Sequence, residues 1–413
     1  MRVLALTSLY PNPYQPHRAT FKRHQLRIMN RYAQVEVISP ISWTDELRAR
    51  RAGKAPLPAG RMHVFDGLTV YHPRYYFTPR IGRRLYGRFY EQSVSSLFYQ
   101  EVKNFRPDIV FGSWAYPDGW AVGRLAQSVG LPAVVQVHGS DVKLLGEYPS
   151  KRRGTLDGLR RVDGIIAVSQ DLADSLVRLG VDKKKVRVVY DGIDPSQFHP
   201  GDRDSARAAL GLIHLTEPML LFIGNLLPVK GLDILLPAIA KIVSEGTPVQ
   251  MYLIGEGPLR SQLGQMAVNL GIADRVHFVG SIDHHLLPRW YHAANLFVLP
   301  SRSEGIPNVL LEAAGCGIRW VASNVGGIPE IVNRGRGLLI PPLQVDELAD
   351  GIKRWLKRRP YYDPEDTAHE HPIQTWMIPA KTREQAVIEI LEYLSQFVTN
   401  PNSKFHGAQL YDD

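Results

Sequence analysis

The chain has 413 residues, with 49 Lys and Arg against 40 Asp and Glu and a formal net charge of +9, a length at which two hydrophobic cores are the default. Its 44% hydrophobic and 22% charged residues are globular values and exclude a disordered chain. A single cysteine, Cys316, excludes an intramolecular disulfide and a cysteine metal cluster, which points to a reducing cytoplasm and to a thiol packed at a helix end.

In chain order, MRVLALTSLYPN opens on a short apolar stretch without a small-residue cleavage site, which predicts a first strand rather than a signal peptide. Short apolar runs predict further strands at 35–39, 109–112, 133–137, 164–168 and 186–189, then at 219–223, 250–254, 276–279, 296–299 and 320–322. Helical stretches alternate with them, the pattern of parallel α/β layers. No repeat of solenoid length is present, and no apolar run approaches the ~18 residues of a spanning helix. Between the two sets lies DGIDPSQFHPGDRDS, rich in Pro, Gly and Asp and without an apolar period, which reads as a linker. Its Asp202-Arg203-Asp204 spells a D-x-D cation motif, but it follows Pro-Gly instead of an apolar strand, so Asp204 reads as the cap of a short helix from Ser205. Residues 376–397 predict a final amphipathic helix, and 399–413 have little to bury. The expected organisation is thus an α/β domain at 1–200, a linker at 201–215, a second α/β domain at 216–372, a helix at 373–398 and a mobile tail at 399–413. Two such domains facing each other place a cleft outside the carboxyl ends of both sheets.

Charge is unevenly shared. Residues 1–200 hold 30 Lys and Arg against 17 Asp and Glu, and the remainder holds 19 against 23. Within the basic half, PRYYFTPRIGRRLYGRFYEQ (residues 73–92) mixes arginines with aromatics. That composition suits an anionic membrane surface or a lipid-linked acceptor, and equally a packed helix with solvated arginines. Nucleic acid is not expected, because no recognised binding motif accompanies the charge.

The most informative stretch is VLPSRSEGIPNVLLEAAGCGIRWVASNVGGIPEIV (residues 298–332). Ser303 and Asn308 are capping types, Pro307 cannot continue a preceding helix, and residues 309–314 read as a buried helix. Free N–H groups and the positive dipole end at such a start favour a phosphate. Glu304 in the loop and Glu312 inside the helix, roughly 6 Å along its axis, would then flank one ligand. Carboxylates accept hydrogen bonds from hydroxyls, so phosphate in the middle with hydroxyls on both sides suggests a nucleotide sugar.

This segment resembles the donor-site signature of the retaining GT-B glycosyltransferases of family four, the group 1 glycosyltransferases, whose E-x7-E pair it reproduces with Glu304 and Glu312. The resemblance implies that Glu304 binds the transferred sugar and Glu312 the ribose. The backbone from Gly305 through Ile306, Pro307, Asn308 and Val309 to Leu310 would bind the phosphates. GNLLPVKGLDILL (residues 224–236) is similar to the loop where an Arg and a Lys hold the diphosphate: Lys230 matches, Gly224 opens the loop, and Asn225 stands at the Arg position. YLIGEGPLRSQL, with Gly255, and RVHFVGSID, with Val279, resemble the next two strand-loop units, the second of which cradles the base. VVQVHGSD resembles the segment whose His, here His138, lies against the donor sugar.

The resemblance also implies two facing Rossmann-like domains, front-face chemistry with retention and the diphosphate helping to deprotonate the acceptor, and no cofactor or metal. The opening SLYPNPYQPHRATFKRHQ and the FGSWAYPDG segment look most like members that build bacterial cell-surface polysaccharides, with a glycan or lipid-linked acceptor, in the cytoplasm or peripheral at the inner face of the membrane. Besides Asn225 the chain departs from the pattern at Arg319 and Trp320, at Asp191, and at Ala19-Thr20 in a first loop that normally bears glycine. Two other readings stay open: a GT-B nucleotide-sugar epimerase, and a non-catalytic nucleotide-sugar-binding protein. A nicotinamide oxidoreductase is disfavoured, because Gly255-Glu256-Gly257 meets Arg260 where a third Gly is needed.

Overall fold

Short, β-rich apolar runs separated by amphipathic helices build two α/β units in the computed structural model, which describes residues 1–16, 18–58, 60–79, 82, 85–143, 145, 149–331, 337–357 and 381–405. One compact unit is Met1–Tyr190 with Arg383–Asp413, and the other is Asp191–Thr382. The division falls at the first residue of DGIDPSQFHPGDRDS and before the 201–215 linker, because Ile193 and Phe198 are buried in the second unit, where a Cβ on Gly315 would meet both.

The strands of the first unit are β1 (Arg2–Thr7), β2 (Gln34–Ile38), β3 (Ile41–Ser42), β4 (Met62–Phe65), β5 (Leu68–Tyr71), β6 (Arg74–Tyr75), β7 (Ile109–Ser113), β8 (Ala133–Val137), β9 (Gly164–Ala167) and β10 (Val186–Val188). Eight of them form one sheet in the order β10-β9-β8-β7-β1-β2-β5-β4, parallel except that β4 runs antiparallel to β5, and β3 pairs separately with β6. The second unit holds β11 (Met219–Ile223), β12 (Gln250–Ile254), β13 (Val276–Gly280), β14 (Leu296–Leu299), β15 (Trp320–Ser323) and β16 (Gly337–Ile340), all parallel, in the order β13-β12-β11-β14-β15-β16. Both orders reverse direction beside the unit's first strand, between β1 and β7 and between β11 and β14. In open α/β sheets the crevice at such a switch point, outside the carboxyl ends, is where ligands bind.

Every strand expected from the sequence forms. The unexpected ones, β3 to β6 and β16, have two to four residues each, too few for a period to be counted. The helix Arg383–Ser395 belongs to the first unit. Its Val387, Ile390, Leu391 and Leu394 share a core with Val3, Val35 and Ile109, and the Tyr393 hydroxyl donates to Lys185 O at 2.8 Å. A helix of this length is marginal alone in water, so packing of that apolar face holds it. Residues 376–380 of the predicted helix and 406–413 of the expected tail lie outside the described residues, but the tail's Phe405 packs on this core and its amide donates to Ser395 Oγ at 3.0 Å, because one aromatic side chain gives the segment something to bury.

Two capping expectations need correction. The helix after the linker is Arg203–Ala209, and Asp202 caps it by accepting from the Ser205 amide at 2.8 Å, because Asp202 rather than Asp204 has the extended backbone a cap requires. The helix Asn308–Gly315 has Pro307 at its cap position and no side-chain cap, so neither Ser303 nor Asn308 caps it.

Candidate active site

Three strand ends of the second sheet are laced into a platform. The Gly224 amide donates to Ile254 O at 2.9 Å, Leu226 N–H to Glu256 O at 3.0 Å, and Gly255 N–H to Gly280 O at 2.8 Å. Gly255 has φ +131°, and a Cβ there would lie 2.1 Å from Gly224 O, so glycine alone permits this approach. Asn225 is exposed on the platform, and Val279 is half-buried at the end of β13.

The loop after β14 is clamped against the loop after β11. Arg302 N–H donates to Val229 O at 2.8 Å, and the Arg302 guanidinium grips Asp233 with contacts of 2.8 and 2.6 Å. This fork-to-fork pairing holds the Asp233 carboxyl below its usual range. Within the clamp the Lys230 ammonium donates to Glu304 Oε1 at 2.6 Å, and the Ser301 hydroxyl donates to the same oxygen at 2.7 Å. Lys230 and Glu304, proposed from separate segments, are therefore in direct contact. Their side chains keep 20% and 11% of their exposure, enough for a ligand to reach both.

From Glu304 the chain runs through buried Gly305, Ile306 and Pro307 into the helix. With no side-chain cap, the amides of Asn308 and Val309 have no partner within the helix and offer an anion site, whereas Leu310 N–H returns to Pro307 O at 2.9 Å. Glu312 is 2% exposed. His284 Nε2 and Glu312 Oε1 are 2.7 Å apart, and the Tyr291 hydroxyl donates to Glu312 Oε2 at 3.2 Å. Burial, and then the nearby Glu312 carboxylate, push the Tyr291 phenol well above its ordinary value, so it stays protonated and can donate. Cys316, at the end of this helix, is buried and its thiol is pushed up by burial, as befits a packing residue.

His138 follows β8 in the first unit. Its Nε2 lies 2.8 Å from Ser113 Oγ at the end of β7, and Phe21 and Trp114 pack on the ring with centroids at 5.2 and 6.5 Å. Asp141 fixes the loop by accepting from the amides of His138, Gly139 and Ala115 at 3.1, 2.8 and 3.0 Å. Burial and the nearby Lys22 hold the His138 imidazole well below its usual value, so it is neutral near pH 7.

The departures have local accommodations. Ala19 adopts a left-handed conformation at φ 47°, which costs an alanine roughly 1–2 kcal/mol and a glycine nothing. Trp320 is buried in β15, and a Cβ on Gly337 would fall 2.0 Å from its ring, so the large residue requires the small neighbour. Arg319 lies over the Trp355 ring at 5.3 Å. In the arginine and aromatic segment, Tyr75 packs on Phe77 and Tyr90, and Arg74 pairs with Glu46. Tyr76, Leu85 and Arg88 of the same segment are exposed, and Arg80, Arg83 and Arg84 lie outside the described residues.

Sequence reading missed Ser301, Arg302, Asp233, His284 and Tyr291. The Arg302 and Asp233 partners lie 69 positions apart, and no local spacing links them. Asp233 looks like an ordinary acid in a helix first turn.

Comparison with solved structures gives the class. Sucrose-phosphate synthase of Thermosynechococcus elongatus superimposes over 100% of this chain and 98% of its own, with a TM-score of 0.72 at 21% identity. Anabaena HepE, solved with UDP, covers 96% of this chain and 100% of its own, with a TM-score of 0.70 at 20% identity. The chain is a GT-B protein: two α/β units with parallel sheets, one bearing an uncapped helix start and a Lys-Glu pair at its switch point. The glycosyl transferases group 1 family matches residues 204–368, and the Glycosyltransferase Family 4 description matches residues 29–197. The chain belongs to the group 1 glycosyltransferases.

Among curated relatives, TuaC of Bacillus subtilis strain 168, named for teichuronic acid biosynthesis, is 28% identical over 369 residues, 86% of this chain and 89% of its own. The D-inositol 3-phosphate glycosyltransferase of Mycobacterium ulcerans is 35% identical over 254 residues, 59% of this chain and 53% of its own. The match thus spans about half the length of the latter.

Proposed function

We propose that this glycosyltransferase moves a sugar, with retention of anomeric configuration, from a nucleotide-sugar donor to a glycan or lipid-linked acceptor of a cell-surface polysaccharide. The observation that carries the reading is the contact of Lys230 with Glu304 beside the uncapped amides of Asn308 and Val309. One cation and a helix start meet the diphosphate, and one carboxylate meets the sugar. HepE has been solved with UDP-glucose, and TuaC is named for teichuronic acid biosynthesis, which supports the donor and acceptor classes.

Breaking the bond from sugar to diphosphate develops positive charge on the sugar and negative charge on the leaving group, so fixed electrostatics supply most of the assistance. Lys230 and the helix start stabilise the leaving diphosphate. Glu304 accepts from sugar hydroxyls, Glu312 holds the ribose, and neutral His138 positions the sugar. Incubation with a panel of nucleotide sugars, with and without glycan acceptors, tests the reading. The expected result is slow donor hydrolysis alone and transfer with acceptor. Sugar interconversion without acceptor would identify an epimerase, and binding without turnover a non-catalytic protein.

We further propose that no metal takes part. Asp202 is committed to capping the helix Arg203–Ala209, and Lys230 with the helix start carries the phosphate charge. Activity is expected to survive EDTA. Loss of turnover in the chelator, restored by manganese or magnesium, would overturn metal independence.

A further inference from the structure

Four of the eleven large apolar side chains exposed among the described residues, Leu47, Met62, Val64 and Phe65, fall within residues 47–65, and Val64 is 69% exposed. The same stretch holds Arg48, Arg50, Arg51, Lys54 and Arg61 and no Asp or Glu. Its parts share one region of the first unit. Arg61, at the entry to β4, pairs with Glu46 of the helix Trp43–Arg51, and Lys54 donates to Tyr14 O at 2.8 Å. Tyr14, Ala49 and Leu57 pack together, and Arg23 lies over the Phe65 ring at 4.2 Å. Behind Phe65 an apolar cavity of about 150 Å³ lies among Tyr10, Pro11, Pro13, Pro16 and Val70. Arg48 is engaged by Asp45, Arg61 by Glu46 and Lys54 by the Tyr14 carbonyl. Arg50 and Arg51 are exposed and make no ion pair among the described residues.

We propose that residues 47–65 dock the first unit on an anionic lipid surface. Apolar tips among cations of one sign match a layer whose surface is anionic and whose interior is apolar. β4 is also the edge of its sheet, so a second copy is the competing occupant. Two-fold pairing of these edges would set like cations against one another, which disfavours it. This surface adjoins residues 73–92, since Arg61 and Arg74 share Glu46. It rests on the glycosyl-transfer reading only in that a lipid-linked acceptor would be met there.

The test is co-sedimentation of the full chain with phosphatidylcholine vesicles containing or lacking phosphatidylglycerol, at low and high salt. Wild type is expected to bind the anionic vesicles alone, and less at high salt as the Debye length shortens. Each cation near such a surface changes binding about fivefold, so Arg50→Gln with Arg51→Gln should weaken it roughly 25-fold. Val64→Glu, at a site exposed enough to leave the fold intact, should weaken it at least as much as one cation. Unchanged sedimentation of both folded variants, or none by wild type at low salt, overturns the proposal. A wild-type dimer that Val64→Glu converts to monomer assigns the surface to a second copy instead. Donor hydrolysis should be equal in all three proteins. Its absence in wild type would count against the glycosyltransferase reading and leave the vesicle result to stand on its own.

Discussion

Glu304→Ala is expected to lower kcat/KM for donor turnover by about ten- to more than a hundredfold with the fold intact, the loss that follows from removing charge-assisted hydrogen bonds of roughly 1.5–3 kcal/mol. The expectation rests on the carboxylate's position. Lys230 and Ser301 both donate to Oε1, which fixes the side chain beside the helix start before a ligand arrives. Removing it should leave stability almost unchanged, because the Lys230 ammonium released by the change keeps contact with solvent. It should also separate two roles that the contact joins. Lys230, no longer shared with Glu304, remains available to a diphosphate, so the affinity for the nucleoside diphosphate product should hold while transfer falls. Comparison of kinetics and product affinity in wild type and variant decides this. Unchanged kcat/KM in a folded variant would remove Glu304 from sugar binding, and a parallel loss of product affinity would mean that it acts by placing Lys230.

Much of this arrangement was legible in the sequence, and the limits have physical causes. Strand ends carrying Gly224 and Gly255 stood out because short apolar runs stop at glycine, and the loop from Glu304 to Asn308 because proline and a following apolar run mark a helix start. The position of Lys230 followed from a resemblance, and its contact with Glu304 did not, because 74 positions separate them and sheet order alone brings them together. Cap assignment failed at Pro307 and Asp202, where the choice depends on backbone angles at single residues. The exposed apolar side chains and neighbouring cations of residues 47–65 were also invisible as a surface. Their four-residue strand is too short to show a period, and exposure is a property of the fold.

The glycine beside Lys230 shows how far this geometry depends on one missing methyl group. Gly231 and Gly271 both have φ +69°, so alanine at either meets the same backbone penalty of roughly 1–2 kcal/mol. At Gly271 an added Cβ meets nothing within 4 Å, whereas at Gly231 it would lie 2.0 Å from the Pro300 carbonyl oxygen. That oxygen belongs to the loop carrying Ser301, Arg302 and Glu304, and relief of the overlap must separate it from the turn that carries Lys230. Overpacking of this kind costs about 1–3 kcal/mol beyond the backbone term. Gly231→Ala is therefore expected to lower the Tm of the second unit by roughly 5–15 °C, against a few degrees for Gly271→Ala. Donor turnover should fall with it, because the Arg302–Asp233 and Lys230–Glu304 contacts both span the joint that opens. Gly271→Ala should turn over like wild type below its transition. Equal Tm values for the two variants would show that the loops yield to the methyl group at no cost, and that the clamp does not hold Glu304 against Lys230.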